Sequence, residues 1–339
     1  MMSRKQIREC PAASCFVSAD GASQPERRRR RGGWRRLGAG ATLLRQALMH
    51  WHCARRMLGE SAYTAAIERQ LLAITSEMAI CTGWLDGGNV QLARYLYAEA
   101  HLTAGHAGNP VVAAHALEKW SMLCCYLART AGAANERRSL AREGLRLALQ
   151  AADQARYEPI PRLHALIAMR QANAASLLGD EAAFRSAISR ARREAERGPR
   201  PDDPKWIGFV DETEITGHEA MGVLNLRKPA RGETLYRTVL DHNLSRRNRT
   251  YYGALLSGAL LKQDAPEHAI AAGMNVLPVL ADGVTSVRAL DELRPLRTAG
   301  GPPTDERAAF VSSSTPLPGL WPRDDVHRRH DPRSVVPAL

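Results

Sequence analysis

Residues 161–196 read PRLHALIAMRQANAASLLGDEAAFRSAISRARREAE, and this stretch decides the fold. Small apolar residues recur in its first half at the spacing of one helix face, namely Ala165, Ala168, Ala172 and Ala175. The second half repeats this spacing from Phe184 onward. Gly179 suits the left-handed position that ends a helix, and Asp180 can accept hydrogen bonds from the first N–H groups of the next one. The stretch therefore predicts a helical hairpin with a two-residue turn.

The same hairpin recurs along the chain. Short turns fall at residues 87–89, 132–133, 179–180, 226–229 and 263–265. Their separation of roughly 37 to 47 residues is typical of stacked two-helix repeats. Because a single hairpin exposes an apolar face, several must stack to bury it. The sequence predicts an all-α fold, a right-handed superhelix of about five tetratricopeptide-like hairpins over residues 41–298, preceded by one helix near residues 41–58.

Side chains of alternating size indicate how the two helices of a hairpin pack. Trp84 precedes the first turn, and small and aromatic residues follow it at helical spacing. Small alanines let two helices approach, and an aromatic ring fills the gap above them. We predict that six residues pack the first and last hairpins: Trp84, Ala93, Tyr97, Ala100, Ala269 and Gly273.

Both ends of the chain differ in composition from the centre. The chain as a whole is 45% hydrophobic and only 5% aromatic, which excludes wholesale disorder and favours helices over strands. Residues 1–40 are rich in Arg, Ser and Gly without helical periodicity, and residues 299–339 contain seven prolines. We therefore predict a disordered basic arm over residues 1–40 and a disordered Pro-rich tail over residues 299–339.

The positive charge is concentrated in the N-terminal arm. The net charge is +12, and residues 1–36 contribute +7 of it through ten bases and three acids. Clustered arginines with one aromatic residue can bind a phosphate backbone and stack a base, without reading sequence. The residues of this candidate nucleic-acid arm are Arg27, Arg28, Arg29, Arg30, Arg31, Trp34, Arg35 and Arg36. The alternative is a solvated tail with no selected role.

A second candidate site lies on the inner surface of the predicted stack. The first helix of each hairpin lines that surface, where peptides or small ligands bind. Its polar and aromatic residues are His115, Lys119, Arg170, Asn173, His218, Arg249 and Tyr252. Each of them alone is typical of an ordinary surface residue. Together they would form a mildly basic, partly aromatic groove suited to an acidic or peptide partner.

Enzymatic motifs are missing from the sequence. It has no phosphate-binding G-x-x-x-x-G-K-[ST] loop, no H-E-x-x-H and no G-x-S-x-G. His50 and His52 would point to different faces of a helix, which disfavours a metal site there. No run of about 18 apolar residues could span a membrane. We predict a cytoplasmic, non-enzymatic protein without cofactor or metal and without contact to a membrane.

Several short stretches resemble a known group of proteins. They are residues 83–86, 91–95, 121–127, 251–254, 269–273, 276–278 and 284–286. In order and spacing they are similar to the C-terminal region of actinomycete helix-turn-helix transcriptional regulators, over roughly residues 38–298. The resemblance implies a tetratricopeptide-like region that follows an Xre-type DNA-binding domain. Some 40 residues precede the repeats here, fewer than the about 55–70 that such a domain needs, so we expect it to be missing.

These features predict a regulatory protein. It would be the ligand- or partner-sensing region of a transcriptional regulator that lacks its own helix-turn-helix domain. A protein or peptide would bind in the concave groove, and any contact with DNA would be indirect or through the basic arm. Two alternatives stay open: an interaction scaffold not tied to transcription, and a non-specific nucleic-acid binder that uses the arm.

Overall fold

The computed structural model describes residues 37–85, 89–282, 287–297 and 305–314. Within these ranges every regular element is a helix, and no β-strand occurs. The prediction of an all-α fold is confirmed.

One helix and five helical hairpins follow one another along the described chain. Helix α1 spans Leu37–Glu60, in agreement with the helix predicted near residues 41–58. The hairpins pair α2 (Ala65–Leu85) with α3 (Val90–His106), α4 (Pro110–Thr130) with α5 (Ala134–Gln154), α6 (Pro161–Leu178) with α7 (Glu181–Glu196), α8 (Glu212–Asn225) with α9 (Pro229–Leu240), and α10 (Arg246–Leu261) with α11 (Pro266–Met274).

Shorter helices connect and follow these hairpins. A 3₁₀ turn at Lys205–Ile207 lies between α7 and α8. After α11 come α12 (Leu277–Ala281), α13 (Val287–Leu293), a second 3₁₀ turn at Arg294–Arg297 and α14 (Asp305–Ser314).

The hairpins stack in two layers. Each helix from α1 to α11 packs against the next one along the chain. In addition, α2, α4, α6, α8 and α10 contact one another in that order, and we call them the inner layer. The second helices of the hairpins, α3, α5, α7, α9 and α11, form the outer layer. This arrangement is a repeat-like stack in which each hairpin buries its apolar face against its neighbours.

The turn between α6 and α7 has the predicted chemistry. Gly179 has a φ of 81°, in the left-handed region, and the Asp180 side chain accepts a hydrogen bond from the Ala183 backbone N–H at 2.9 Å. In the turns of the last two hairpins, Arg227 and Asp264 adopt the left-handed conformation, with φ of 59° and 58°. The repeat therefore tolerates a side chain at this position, at a small cost in backbone energy.

Five of the six residues predicted to pack the hairpins are buried. Ala93, Tyr97 and Ala100 lie in the core of the first hairpin, and the Tyr97 ring occupies the space beside Gly83. In the last hairpin, Ala269 is buried, and Gly273 lies against other apolar side chains. Trp84 differs, because it is only half-buried and cationic side chains surround its ring. It belongs to the site described below.

Helix α14 corrects the prediction of a disordered tail for residues 305–314. Its Phe310 is fully buried and lies close to Gly273 of α11. Acidic Asp305 and Glu306 in its first turn favour a helix N-terminus. The prolines on both sides of these residues led to the prediction of disorder, although Phe310 between them packs in the core. The remaining residues of the predicted tail, and residues 1–36 of the predicted arm, lie outside the described residues.

The contact between α7 and α8 makes the first prediction. An added Cβ at Gly222 of α8 would overlap the buried ring of Phe184 on α7. We expect Gly222→Ala to lower the free energy of unfolding by about 2 kcal/mol, because a close-packed core has no room for the methyl group. Urea unfolding measures this loss. In the control Gly105→Ala, the new methyl group meets nothing within 4 Å, and we expect no loss. Equal stability of the two variants would contradict the packing.

Candidate functional site

The structure brings together six of the seven residues that the sequence assigns to a groove. They all lie on the inner layer, and as whole residues they are only 2–8% exposed: His115, Lys119, Arg170, Asn173, His218 and Tyr252. They form a buried polar network. The expectation of an open, exposed groove at these residues is therefore wrong, and the physical reason is that other parts of the chain cover them.

Glu118 is the centre of this network, although the sequence did not single it out. Its fully buried carboxylate accepts hydrogen bonds from His115 Nδ1 at 2.9 Å and from Arg170 Nε at 2.8 Å, and Lys119 Nζ lies 3.1 Å away. Burial would raise the pKa of Glu118, but the charges of Lys119 and Arg170 outweigh it and hold the pKa well below its usual range. Glu118 is therefore ionised and offsets two buried cations.

His218 continues the network into α8. Arg170 Nη1 lies 3.1 Å from His218 Nε2, and because a guanidinium can only donate, Nε2 must accept. The proton of the neutral ring is then on Nδ1, which lies 2.8 Å from the Asn173 amide group. Asn173 must therefore present its oxygen to His218, since in the opposite orientation that buried oxygen has no partner. Burial lowers the pKa of His218, in agreement with a neutral ring.

The network ends on α8 and α10. The Tyr252 hydroxyl donates a hydrogen bond to Glu214 Oε2 at 2.8 Å, and Glu214 Oε1 lies 3.5 Å from His218 Nε2. Burial would raise the pKa of Glu214, but the hydrogen bond donated by Tyr252 and the positive charge of Arg170 lower it overall. Polar side chains from four of the five inner helices are thus linked to one another, through two carboxylates that the sequence reasoning missed.

The connector between α7 and α8 covers one end of the network. Trp206 stacks on His115, with ring centroids 3.6 Å apart and an interplanar angle of 14°. The Phe209 ring centroid lies 5.6 Å from Lys119 Nζ. Residues 197–211 therefore reach across from the third and fourth hairpins to α4, and they keep water away from His115 and Lys119.

Helix α13 covers the other end of α4. The Tyr126 hydroxyl donates to the Asp291 carboxylate, and the Arg129 guanidinium donates to Glu292. Arg288 Nη1 lies 3.6 Å from the sulfur of Met122. The partners in these contacts are 163 to 166 residues apart in sequence, so α13 reaches back to the second hairpin.

Three cations converge on one aromatic ring next to the network. Arg288 Cζ lies 4.1 Å from the Trp84 ring centroid, Arg247 Cζ lies 5.1 Å away, and Lys119 Nζ lies 5.2 Å away. We call these four residues the Trp84 cluster. Burial lowers the pKa of both Lys119 and Arg288. The cluster draws one residue from each of α2, α4, α10 and α13, and the sequence reasoning included only Lys119 in the groove.

Arg249 does not join the other groove residues. Its side chain is exposed, and it donates hydrogen bonds to the carbonyl oxygens of Leu240 and His242 at 2.8 and 2.9 Å. Arg249 thus caps the end of α9, where free carbonyl groups attract a cation. The eight residues of the predicted nucleic-acid arm lie outside the described residues.

Two further features of the described residues bear on function. In these ranges, no group of three or more His, Cys, Asp or Glu side chains is arranged to hold a metal ion. None of the helices described has the length and apolar character needed to cross a bilayer.

The burial of His115 predicts a pH dependence of stability. Burial lowers its pKa to about 4, against about 6.5 in the unfolded chain. Between these values the unfolded chain binds a proton that the folded chain does not, so stability falls as the pH falls. From pH 7 to pH 5 we expect His115 to account for a loss of about 2 kcal/mol in the free energy of unfolding.

Urea unfolding at the two pH values measures this loss. In His115→Asn the difference between pH 7 and pH 5 should shrink by about that amount. The exposed His106→Asn serves as the control and should keep the wild-type difference. An unchanged pH dependence in His115→Asn would show that the ring is not held neutral.

Comparison of the chain with models of known protein families gives no match, and comparison with curated proteins gives none either. The resemblance to helix-turn-helix regulators therefore stays a prediction.

Proposed function

We propose that this chain is the ligand- or partner-sensing region of a regulatory protein and that its binding site lies at the Trp84 cluster. One observation carries the proposal: cationic and polar side chains from separate helices converge beside one half-buried ring. A protein core that serves packing alone buries apolar groups, because each buried charge loses its hydration. A group of charged side chains that loses part of its hydration in this way is more typical of a binding site than of a packing core.

The buried network offers a way to transmit a signal. It links α4, α6, α8 and α10 through the hydrogen bonds from Arg170 to Glu118 and to His218 and from Tyr252 to Glu214. A partner that binds one arrangement of these helices more tightly than another shifts their populations. Binding at the Trp84 cluster would thus change the relative position of neighbouring hairpins.

The Trp84 cluster also indicates the chemistry of the partner. Lys119, Arg247 and Arg288 create a positive potential, which favours acidic groups. We propose an acidic protein, peptide or small ligand. The link to transcription rests on the resemblance of residues 38–298, and in that reading the chain acts without its own DNA-binding domain. A scaffold not tied to transcription would use the same surface.

Affinity capture from the native cells tests this proposal. The full chain serves as bait, together with Arg288→Gln and with Arg237→Gln, a variant of the exposed outer layer that loses the same charge. We expect a partner that wild type and Arg237→Gln retain and that Arg288→Gln loses. A component of the transcription machinery supports the regulator, and an unrelated protein supports the scaffold. If no retained partner depends on Arg288, the proposal is wrong.

The nucleic-acid alternative makes a separate prediction. Binding of random-sequence duplex DNA should then weaken steeply with added salt and disappear on deletion of residues 1–36, because only the arm would contact phosphates. Fluorescence anisotropy measures both effects. DNA binding that survives the deletion would contradict the arm as the binding element.

A further inference from the structure

We propose that the outer layer carries a second interaction surface, a groove between α5 and α7 that binds an acidic amphipathic helix of a partner protein. We call it the outer groove, and the residues that define it are Arg138, Arg142, Leu145, Leu149, Leu178 and Arg190. The inference goes beyond the proposed function, because it uses none of the residues of the Trp84 cluster.

The outer groove is exposed to solvent and has room for several side chains. Helices α5 and α7 form its walls, and α6, which packs against both, forms its floor. Its volume of about 540 Å³ is in the range that ligand sites occupy. On the floor, the Gln171 amide donates a hydrogen bond to the Ala148 carbonyl of α5 at 3.3 Å and accepts one from Arg190 of α7. Gln171 therefore connects the two walls.

One stripe of α5 gives the outer groove two kinds of chemistry. Arg138, Arg142, Leu145 and Leu149 follow one another at intervals of three or four residues, so they share one face of the helix. Leu149 is 52% exposed, although its side chain is large and apolar. The stripe spans about 16 Å, or three turns. A stripe that is cationic at one end and apolar at the other matches a helix that presents carboxylates and apolar side chains at helical spacing.

Acidic side chains of the described residues do not neutralise this charge. Arg138 and Arg142 make no hydrogen bond or ion pair within the part of the chain that the structure describes. Arg190 donates to the neutral amide of Gln171. Asp180 is the acidic residue among those that line the groove, and its carboxylate caps the start of α7. The lining therefore carries three positive charges against one negative charge, which favours an acidic partner.

The charge of the chain indicates that the occupant is a separate protein. Residues 1–36 carry a net charge of +7, and residues 315–339 contain four arginines against three aspartates, so neither segment is acidic. The whole chain carries +12, and two copies therefore repel each other. The negative charge that the outer groove requires must come from a different protein.

Fluorescence anisotropy with a labelled synthetic peptide and the full chain tests the inference. The probe is a peptide of about 15 residues, with leucines on one helical face and glutamates beside them. One control peptide has lysine in place of every glutamate, and the other has the same composition in an order that disperses the leucines around the helix. We expect saturable binding of the probe that weakens with added salt, and at least about tenfold weaker binding of both controls.

Variants of the chain locate the binding. Arg138→Gln combined with Arg142→Gln should weaken binding of the probe at least about fivefold and reduce its salt dependence, because two ion pairs are lost. Arg56→Gln combined with Arg69→Gln removes the same charge from exposed positions on α1 and α2 and should bind like wild type. Leu149→Gln should weaken binding at least about threefold and leave the salt dependence unchanged, because it removes only apolar contact. Urea unfolding establishes that each variant is folded.

Several results would overturn the outer groove as a site for an acidic helix. They are the absence of saturable binding, equal affinity for either control peptide, and equal binding by the two double variants. Light scattering that shows a dimer, dissociated by Arg138→Gln with Arg142→Gln, would make a second copy the occupant. Probe binding that appears only on deletion of residues 315–339 would make that segment the occupant. All these results leave the Trp84 cluster unaffected, since Arg288→Gln tests it separately.

Discussion

Glu118→Gln should lower the free energy of unfolding by about 3–5 kcal/mol at pH 7, the largest effect that we expect from an isosteric change in this chain. The substitution removes the negative charge that Lys119 and Arg170 share and leaves both cations buried. It also removes an acceptor for His115. A broken buried ion pair is costly because the remaining charge has neither water nor a partner.

Urea unfolding of Glu118→Gln against Glu143→Gln measures this effect. Glu143 pairs with Arg94 at 3.1 Å, but both side chains are about a quarter to a third exposed. A pair in contact with water contributes little, so we expect a loss of less than about 1 kcal/mol in the control. Similar losses in the two variants would show that Glu118 does not hold the network together.

A double-mutant cycle sharpens this test. Arg170→Met alone leaves Glu118 with less compensation, while the combined Glu118→Gln and Arg170→Met removes both charges. We expect the double variant to be more stable than the sum of the two single losses predicts, by more than about 1 kcal/mol. Additive losses would mean that the two side chains act independently.

Phe310→Ala should lower the free energy of unfolding by about 3 kcal/mol, the second large effect. The ring is fully buried, and it lies close to Gly273, beside which Leu293 and Leu296 also lie. Removing it leaves a cavity at the junction of α11, α13 and α14. We expect no compensation, since glycine at position 273 offers no side chain to fill the space.

Urea unfolding of Phe310→Ala against Tyr157→Ala measures this contribution. Tyr157 is 87% exposed, so its loss should change stability by less than about 0.5 kcal/mol. If Phe310→Ala changed stability as little as Tyr157→Ala, α14 would not be part of the folded core. That outcome would agree with the disorder that the sequence alone predicted.

The hairpins could be predicted because their signals are local. Gly179 and Asp180 end one helix and begin the next through contacts within a few residues, and the spacing of the alanines fixes which face packs. The order of helices then assigns His115, Arg170 and His218 to the inner layer. For these three residues, sequence periodicity was sufficient to predict both the helix on which each lies and its place in the inner layer.

The burial of the site could not be predicted because its cover is distant in sequence. Trp206 lies 91 positions after His115, and Asp291 lies 165 positions after Tyr126. No local sequence pattern predicts a contact between residues so far apart. Glu118 was missed for the same reason, since an acid in a helix is typical of the surface until its partners on other helices are known. Arg288 carries no sequence motif.

The return of α13 to the second hairpin changes how the molecule should fold and unfold. In an open repeat array each unit contacts only its neighbours, so the ends can fray one repeat at a time. Here the links from Tyr126 and Arg129 to α13 join the second hairpin to the end of the stack. Opening the last hairpin must break these links as well, so the second to fifth hairpins should unfold in one cooperative step. The long sequence separation raises the contact order, and folding should be slower than in an open array of equal length.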